Sequence, residues 1–240
     1  MEYKVLITTS GIGSRLGELT KEKNKALIEI NARPALAYIM DSYPTHVPLV
    51  FTLGYLSQQV VDFLTTHYAQ RSMEFVTVDT YEGLGSSWGY SVLAAEKALQ
   101  CPFIFHACDT ILVDAIPEPA TNWIAGFRSN VEELGELAVH YRTQSVAGNR
   151  VIRVNERGVK DFNSIHIGLT GVSFYKEFWK ALREIYTKNP ADSTISDVHV
   201  VDLMMKWGIL FEWIPFDTWL DTGNISALKK AGEYLRNKSN

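Results

Sequence analysis

The stretch KVLITTSGIGSRLGELTKEKNKALIEI, Lys4 to Ile30, runs from an apolar segment into two glycines and an arginine, then into a group of lysines. A glycine-rich turn behind a first strand commonly meets phosphate, because backbone N–H groups approach an anion closely where no side chain intervenes. Three loop chemistries compete for it. A dinucleotide fingerprint needs G-x-G-x-x-G opening a helix, with an acidic residue ending the second strand. Gly11-Ile12-Gly13-Ser14-Arg15-Leu16 lacks the third glycine, and the second apolar run ends in Thr52-Leu53-Gly54. A P-loop needs Gly-Lys-Ser/Thr, and the chain contains no Gly-Lys pair. The third is a triphosphate clamp, with the Arg15 fork beside free loop amides and Lys25 closing over them. On these residues alone, a tight turn with Arg15 paired to Glu18 explains the stretch equally well.

Outward from the loop, strand-length apolar runs alternate with helical periodicity. Lys4–Thr9 reads as a buried strand, Arg33–Tyr43 as a helix opening near Pro34, and Val47–Gly54 as a second strand. Tyr55–Gln70 is helical with Leu56, Val60, Phe63 and Leu64 on one face, Met73–Val78 is a third strand, Trp88–Leu99 a helix and Cys101–Asp109 a fourth strand. This rhythm predicts βαβ crossovers: a Rossmann-like α/β fold with a mixed, mainly parallel sheet and helices on both faces. Past Pro117, Glu136–Thr143, Asn149–Gly158 and Ile167–Tyr175 read as strands of an antiparallel or mixed addition. Helices follow over Lys176–Thr187 and Ile195–Trp207, then a strand at Ile209–Phe216, a helix from Asn224 to Arg236 and a frayed tail NKSN.

No linker, repeat or low-complexity segment divides the chain, so its 240 residues read as a single domain, 1–240. A net charge of −4 without a basic block argues against a nucleic-acid partner. Cys101 and Cys108 form neither a disulfide framework nor a zinc pattern, which points to a reducing compartment. Cys108 beside Asp109 reads as a buried bystander, with no histidine arrangement to make it a nucleophile. No run approaches the ~18 apolar residues of a membrane span, and no signal-peptide pattern opens the chain. A soluble, cytoplasmic protein without membrane insertion is expected, and a homo-oligomer is left open.

Ser10–Tyr43, SGIGSRLGELTKEKNKALIEINARPALAYIMDSY, resembles the opening signature of the nucleotidyltransferases that activate sugar phosphates and similar small phosphates. That signature is a strand, G-x-G-x-R-L, a leucine–threonine spacer, a lysine usually preceded by proline, and a G-x-P-L-I-like helix start. The chain departs from it in three places: Thr9-Ser10-Gly11 for a small alanine–glycine run, Asn24 for the proline, and Ala32-Arg33-Pro34 for G-x-P. The resemblance implies the nucleotide-diphospho-sugar transferase type of fold, in a compact form. It implies that Thr9, Ser10, Gly11 and Gly13 bind the nucleotide, and that Arg15 and Lys25 are catalytic.

Later segments extend it. FIFHACDT ends a buried strand with Asp109 and TWLDTGN carries Asp221, where the family places its two metal-binding aspartates. Two carboxylates at strand ends suit Mg²⁺, which takes one or two of them plus phosphate oxygens and water; each is equally a turn or cap residue when read alone. YEGLGSSWGYSVLAA resembles the family's base-binding segment, which adds Gly85 and Ser86 to the nucleotide site, while Ser86 or Ser87 as a helix cap is equally compatible. RGVKDFN stands where the family carries an acceptor-phosphate lysine, which implies acceptor binding by Lys160. STISDVHVVDLM reads as a helix start capped by Ser196, with Asp197 next to it. Trp88, Tyr90, Trp213 and Trp219 could line a cation–π pocket for a quaternary ammonium, and are read here as core.

The implied partners are a nucleoside triphosphate and a small phosphorylated acceptor, joined with release of pyrophosphate as a step toward cell-surface polysaccharide. A phosphocholine-type acceptor is the alternative within enzymes, and a non-catalytic nucleotide-binding module is the alternative outside them.

Overall fold

In the first strand, β1 (Lys4–Thr8), the three central residues are buried while the ends are partly exposed, as a strand covered on both faces requires. Alternation along it feeds two cores. Val5 and Ile7 join one hydrophobic cluster and Leu6 the other. The computed structural model describes residues 1–238.

After β1, two 3-10 turns (Ser14–Thr20 and Lys25–Leu27) carry the glycine loop into a minimal hairpin of β2 (Glu29–Ile30) and β3 (Arg33–Pro34). The chain continues through α1 (Ala35–Asp41), β4 (Leu49–Leu53), α2 (Ser57–His67), β5 (Met73–Thr77), α3 (Trp88–Ala94), β6 (Phe103–Ala107) and β7 (Thr110–Leu112). Then come β8 (Trp123–Phe127), α4 (Val131–Ala138), β9 (Thr143–Ala147), β10 (Arg150–Asn155), β11 (Ser164–Val172) and α5 (Tyr175–Lys188). The last elements are α6 (Asp197–Lys206), β12 (Glu212–Phe216), β13 (Trp219–Asp221) and α7 (Ile225–Lys238).

Nine strands form one sheet in the order β5-β4-β1-β6-β11-β8-β12-β10-β9. The first four run parallel, with β1 between β4 and β6. From β11 onward the pairing is mixed: β11 is antiparallel to β6, β8 and β9, whereas β12 is parallel to β8. One cluster packs α1, α2 and α7 residues such as Leu36, Val60 and Ala231 against the sheet, and the other packs Val92, Phe178 and Val201 from α3, α5 and α6. Helices on both faces, as the sequence predicts, follow from this two-sided alternation.

Three expectations change. Glu136 to Ala138 are helical, as the end of α4, and the strand of that region begins only at Thr143. The reason lies upstream. Asn130 caps the helix by accepting from the Glu133 N–H at 2.9 Å, and Glu132 and Glu133 in the first turn complement the helix dipole. Leu134 and Ala138, four apart, are its buried stripe. Second, the strand expected at Ile167–Tyr175 starts earlier, at Ser164, and Tyr175 opens α5. Third, α7 extends to Lys238, so of the NKSN tail only Ser239 and Asn240 lie outside the described residues.

β8, buried at all five positions, has no counterpart in the sequence reading. Nor has the small second sheet of β7 and β13, in which Asp221 pairs with Thr110 and Leu220 with Ile111. That hairpin-like pairing of distant segments positions the site.

Candidate active site

The loop leaves β1 at Thr9, whose hydroxyl donates to the Thr52 carbonyl at 2.9 Å. The Ser10 hydroxyl donates to Ser91 at 2.9 Å, and the Ser10 carbonyl accepts from the Tyr55 N–H. Both side chains are therefore committed to holding the loop on the sheet. Gly11 leaves open space where a side chain would stand. Gly13 has φ +73°, and a Cβ there would lie 2.8 Å from Cβ of Lys25, so only glycine lets the turn close over the lysine.

Lys25 is fixed by its neighbour. Asn24, fully buried, donates through Nδ2 to the carbonyls of Thr9 (3.1 Å) and Tyr55 (2.6 Å). Its Oδ1 accepts from the Ala26 N–H at 3.0 Å, and its own N–H donates to Gln59 at 2.9 Å. Where the family signature has a proline ring to stiffen the chain, this protein uses four hydrogen bonds.

Asp109 lies two residues past the end of β6, and Asp221 ends β13. The Thr222 N–H donates to the Asp109 carbonyl at 2.8 Å and clamps the two segments together. Lys25 Nζ stands 3.5 Å and Arg15 Nη2 3.6 Å from Asp109 Oδ2. Around Gly223 all these groups converge. A Cβ at that residue would lie 2.9 Å from Arg15 Nη2, 3.0 Å from Asp109 Oδ2 and 3.2 Å from Asp221 Oδ1. The sequence-predicted quartet of Arg15, Lys25, Asp109 and Asp221 is thus brought together.

The electrostatics divide the two carboxylates. Burial disfavours charge on Lys25, but the Asp109 carboxylate and the Cys108 side chain together outweigh it and raise the ammonium pKa above its usual range. Burial pushes the Asp109 pKa up, yet Lys25 and then Arg15 hold it below the usual carboxylate range. Asp221 goes the other way, to about 6, through burial and then the repulsion of Asp109, although Tyr141 and the Gly223 amide favour its charge. The Tyr141 hydroxyl donates to Asp221 Oδ2 at 2.6 Å, and Asn224 Nδ2 donates to the same oxygen at 3.0 Å. Two partly buried carboxylates that repel one another while facing one point offer oxygens to a divalent cation. Among the described residues no group of three or more His, Cys, Asp or Glu could hold a metal alone, so such an ion would need oxygens from substrate.

The quartet opens into a cavity of about 800 Å³. Its lining also includes side chains to which sequence reasoning gave no binding role: His140, Arg142, Arg157, His166, Asp197 and His199. Arg142 donates to Glu156 at 3.3 Å and to the Thr194 carbonyl at 3.0 Å. His199 stands 2.9 Å from Glu156 through Nε2, while its Nδ1 accepts from the Ser196 N–H at 3.0 Å. Ser196 therefore caps α6 as predicted. These lining residues come from the α4–β9 and β10–β11 connections, from β11 and from α6, and no local motif links them in the sequence.

Other expected residues lie apart from the cavity. Lys160 is exposed, on a bend between β10 and β11, and the cavity wall takes Arg157 from that connection instead. Gly85, at φ +87°, and Ser86, whose hydroxyl donates to the Gly83 carbonyl at 2.7 Å, form the exposed turn ahead of α3. Ser87 is the α3 cap, accepting from the Tyr90 N–H at 3.0 Å. Of the four aromatic candidates, Trp88 and Trp219 reach the cavity. Tyr90 donates to Asp79 and Trp213 to Ser164, and the aromatic lining of the cavity is Trp88, Phe105, Tyr141 and Trp219. Cys108 is buried, and burial pushes its thiol up to about 11, which leaves it a poor nucleophile.

No family model matches the chain. It is 25% identical over 175 residues to the bifunctional protein GlmU of Methanococcus maripaludis, covering 71% of this chain and 39% of that protein. The chain thus spans about two fifths of the length of the curated relative it matches. In three dimensions it is similar to the CTP:phosphocholine cytidylyltransferase LicC of Streptococcus pneumoniae, with a TM-score of 0.74 at 16% identity over 98% of this chain and all of the other. It is also similar to an apo UDP-glucose pyrophosphorylase, with a TM-score of 0.78 at 14% identity over the full length of both. These likenesses show the fold: a mixed α/β domain of the nucleotide-diphospho-sugar transferase type. Among the described residues no helix is long and apolar enough to cross a membrane.

Proposed function

We propose that this chain is a nucleotidyltransferase, which moves a nucleoside monophosphate from a nucleoside triphosphate to a sugar 1-phosphate or similar small phosphate and releases pyrophosphate. The observation that carries the reading is the convergence of Arg15, Asp109 and Asp221 on the space beside Gly223, with Lys25 paired to the same Asp109 oxygen, on a cavity large enough for a second substrate.

The nucleophile in this reaction is an acceptor phosphate oxygen, ionised at neutral pH, which attacks the α-phosphorus in line with the leaving pyrophosphate. No general base is needed. The difficulty is bringing two polyanions together and stabilising the charge that builds between them, which is work for positioning and fixed cations. Gly11 leaves room for the triphosphate against the loop, Gly13 lets the turn close over Lys25, and Arg15, largely exposed, is free to swing onto the triphosphate. Lys25, held by Asn24 and kept charged by Asp109, stands between the reacting phosphates. Arg142 and Arg157 are the cations that a phosphorylated acceptor meets on the far wall. Asp109 and Asp221 are the residues that would hold Mg²⁺, which when bound supplies charge neutralisation between the two phosphates. The product would be an activated building block of the sort consumed in polysaccharide synthesis.

The test is pyrophosphate release with Mg²⁺ across the four ribonucleoside triphosphates and dTTP, each crossed with glucose 1-phosphate, inositol 1-phosphate and phosphocholine. Release that needs one triphosphate and one acceptor together supports the reading. Tight triphosphate binding without release from any pair favours a binding module instead.

A further inference from the structure

His106 is fully buried on β6, a strand whose three preceding residues, Phe103, Ile104 and Phe105, are apolar and buried. An imidazole is the costlier occupant of such a position, since both ring nitrogens must find partners away from water. Here both do. Nε2 stands 2.8 Å from the Thr110 carbonyl oxygen, and Nδ1 2.7 Å from the Tyr43 hydroxyl. A carbonyl oxygen only accepts, so the ring carries its proton on Nε2 and donates it to Thr110. That leaves Nδ1 a lone pair, to which the Tyr43 hydroxyl donates. Burial lowers the His106 pKa to about 4, so at neutral pH the ring is uncharged and one tautomer accounts for both bonds. Tyr43 is held in turn. It is buried, its ring meets the imidazole edge-on at 5.6 Å, and its carbonyl accepts from the buried Arg71 at 3.2 Å.

This line of bonds ends at Thr110, and the place of that residue gives the line a role. Thr110 is the chain neighbour of Asp109 and, in the β7–β13 pairing, the strand partner of Asp221. Whatever fixes Thr110 therefore fixes the backbone from which both carboxylates project. The imidazole reaches across the turn at Cys108–Asp109 to do so, while the Thr110 hydroxyl donates to the Ile167 carbonyl on β11 at 2.6 Å.

Resting on the assignment of Asp109 and Asp221 to a divalent cation above, we propose that His106, oriented by Tyr43, is a positioning residue: it fixes Thr110 and through it the separation of the two carboxylates, which sets how tightly the metal–triphosphate complex is held. The two aspartates repel one another, so a backbone that yields lets them draw apart, and a cation that takes oxygens from both loses one. An apolar side chain at His106 would fill the same space and leave the Thr110 carbonyl without this donor.

The experiment is calorimetric titration of the wild type, His106→Leu, His106→Gln and Tyr43→Phe with the four ribonucleoside triphosphates and dTTP, once with excess Mg²⁺ and once with chelator. The ratio of the two affinities reads what the metal contributes. His106→Leu should cut that ratio about tenfold or more, as loss of a residue that orients metal ligands does. Its affinity in chelator should stay as in the wild type, because Arg15, Lys25 and the loop amides remain. His106→Gln, whose amide can donate to Thr110, should restore most of the ratio. Tyr43→Phe should lose part of it, because the ring keeps its proton but not the partner that orients it. In ¹⁵N-histidine-labelled wild type, His106 should show its proton on Nε2 and a bare Nδ1, a readout that holds even if a variant misfolds. The proposal is overturned by a ratio that survives His106→Leu, by a loss falling equally on both affinities, by a His106→Gln ratio no better than that of His106→Leu, or by a proton on Nδ1; a wild-type ratio in Tyr43→Phe overturns the orienting role of Tyr43. Failure of every triphosphate to bind the wild type, or binding that Mg²⁺ leaves unchanged, would instead sink the reading of the site on which this inference rests.

Discussion

Asn24 offers a sharp test of how the loop holds its lysine. Asn24→Asp is nearly isosteric and keeps the oxygen that accepts from the Ala26 N–H. It removes the Nδ2 donor and sets a carboxylate oxygen against the carbonyls of Thr9 and Tyr55, in a site with no exposed surface. Two lost hydrogen bonds are worth about 0.5–1.5 kcal/mol each, and leaving buried acceptors facing a charge adds about 1–3 kcal/mol. The expected loss is roughly 3–5 kcal/mol, which for a domain of this size lowers Tm by about 10 °C or more. Asn24→Ala loses the same two bonds and the cap, but places no charge there, so it should cost less than Asn24→Asp at neutral pH. As pH falls the introduced carboxyl, whose pKa is raised above the usual carboxylate range by burial against two carbonyls, takes up a proton and regains a donor, so the order of the two variants should narrow or reverse. Thermal and urea unfolding at pH 7.5 and pH 4 measure both effects, and pyrophosphate release should fall with them as Lys25 loses its anchor. An Asn24→Asp variant within about 0.5 kcal/mol of wild type at pH 7.5 would refute the account, for it would mean that the amide's two donor bonds carry nothing.

Lys25→Ala should lower kcat by about 10²–10³, the usual cost of removing one donor from the transition state, while triphosphate binding persists; near-normal turnover would remove Lys25 from the mechanism. Gly223→Ala puts a methyl group where Arg15, Asp109 and Asp221 converge, so turnover should drop at least about tenfold with little change in unfolding; an active Gly223→Ala enzyme would show that the convergence is not where the reaction occurs. Asp221 holds its proton to about pH 6 when folded, against 3.8 for a free carboxyl, so its contribution to stability falls as pH rises across that window, by about 3 kcal/mol. His106 works in the opposite sense: burial lowers it from 6.5 to about 4, so the folded chain refuses a proton that the unfolded chain takes, and stability rises with pH between those values. The two offset one another in the wild type. Asp221→Asn should unmask the rise, gaining about 2–3 kcal/mol on wild type between pH 4 and pH 7.5 in urea unfolding with chelator present; parallel profiles would contradict the buried, repelled state of Asp221.

The sheet's parallel half was legible because β1, β4 and β6 are almost wholly apolar runs, which helical periodicity separates. The misreading at Glu136 arose because the deciding residue, the Asn130 cap, lies outside the segment whose alternation suggested a strand. β8 escaped notice because its TNWIAGF context reads as a loop until β11 and β12 flank it. In the site, Gly13, Arg15 and Lys25 were visible since a phosphate loop is local: its glycines, fork and lysine must follow one another within a few turns of chain. The departure at Asn24 was visible too, but its meaning was not, because its partners Tyr55 and Gln59 belong to the next crossover.

What the sequence determined by itself is therefore the chemistry of short range: buried strands from apolar runs, the tight turn from its glycines, and the cationic clamp from its spacing. Tertiary structure alone decided the rest. Asp109 and Asp221 become one site only through the β7–β13 pairing, and His166 gains its charged partner only when α6 brings Asp197 to 2.8 Å from its Nε2. The physical reason is that side-chain alternation and turn geometry are set by neighbouring backbone angles, whereas repulsion between carboxylates and the loss of solvent from an imidazole depend on distances between segments that only the packed sheet establishes.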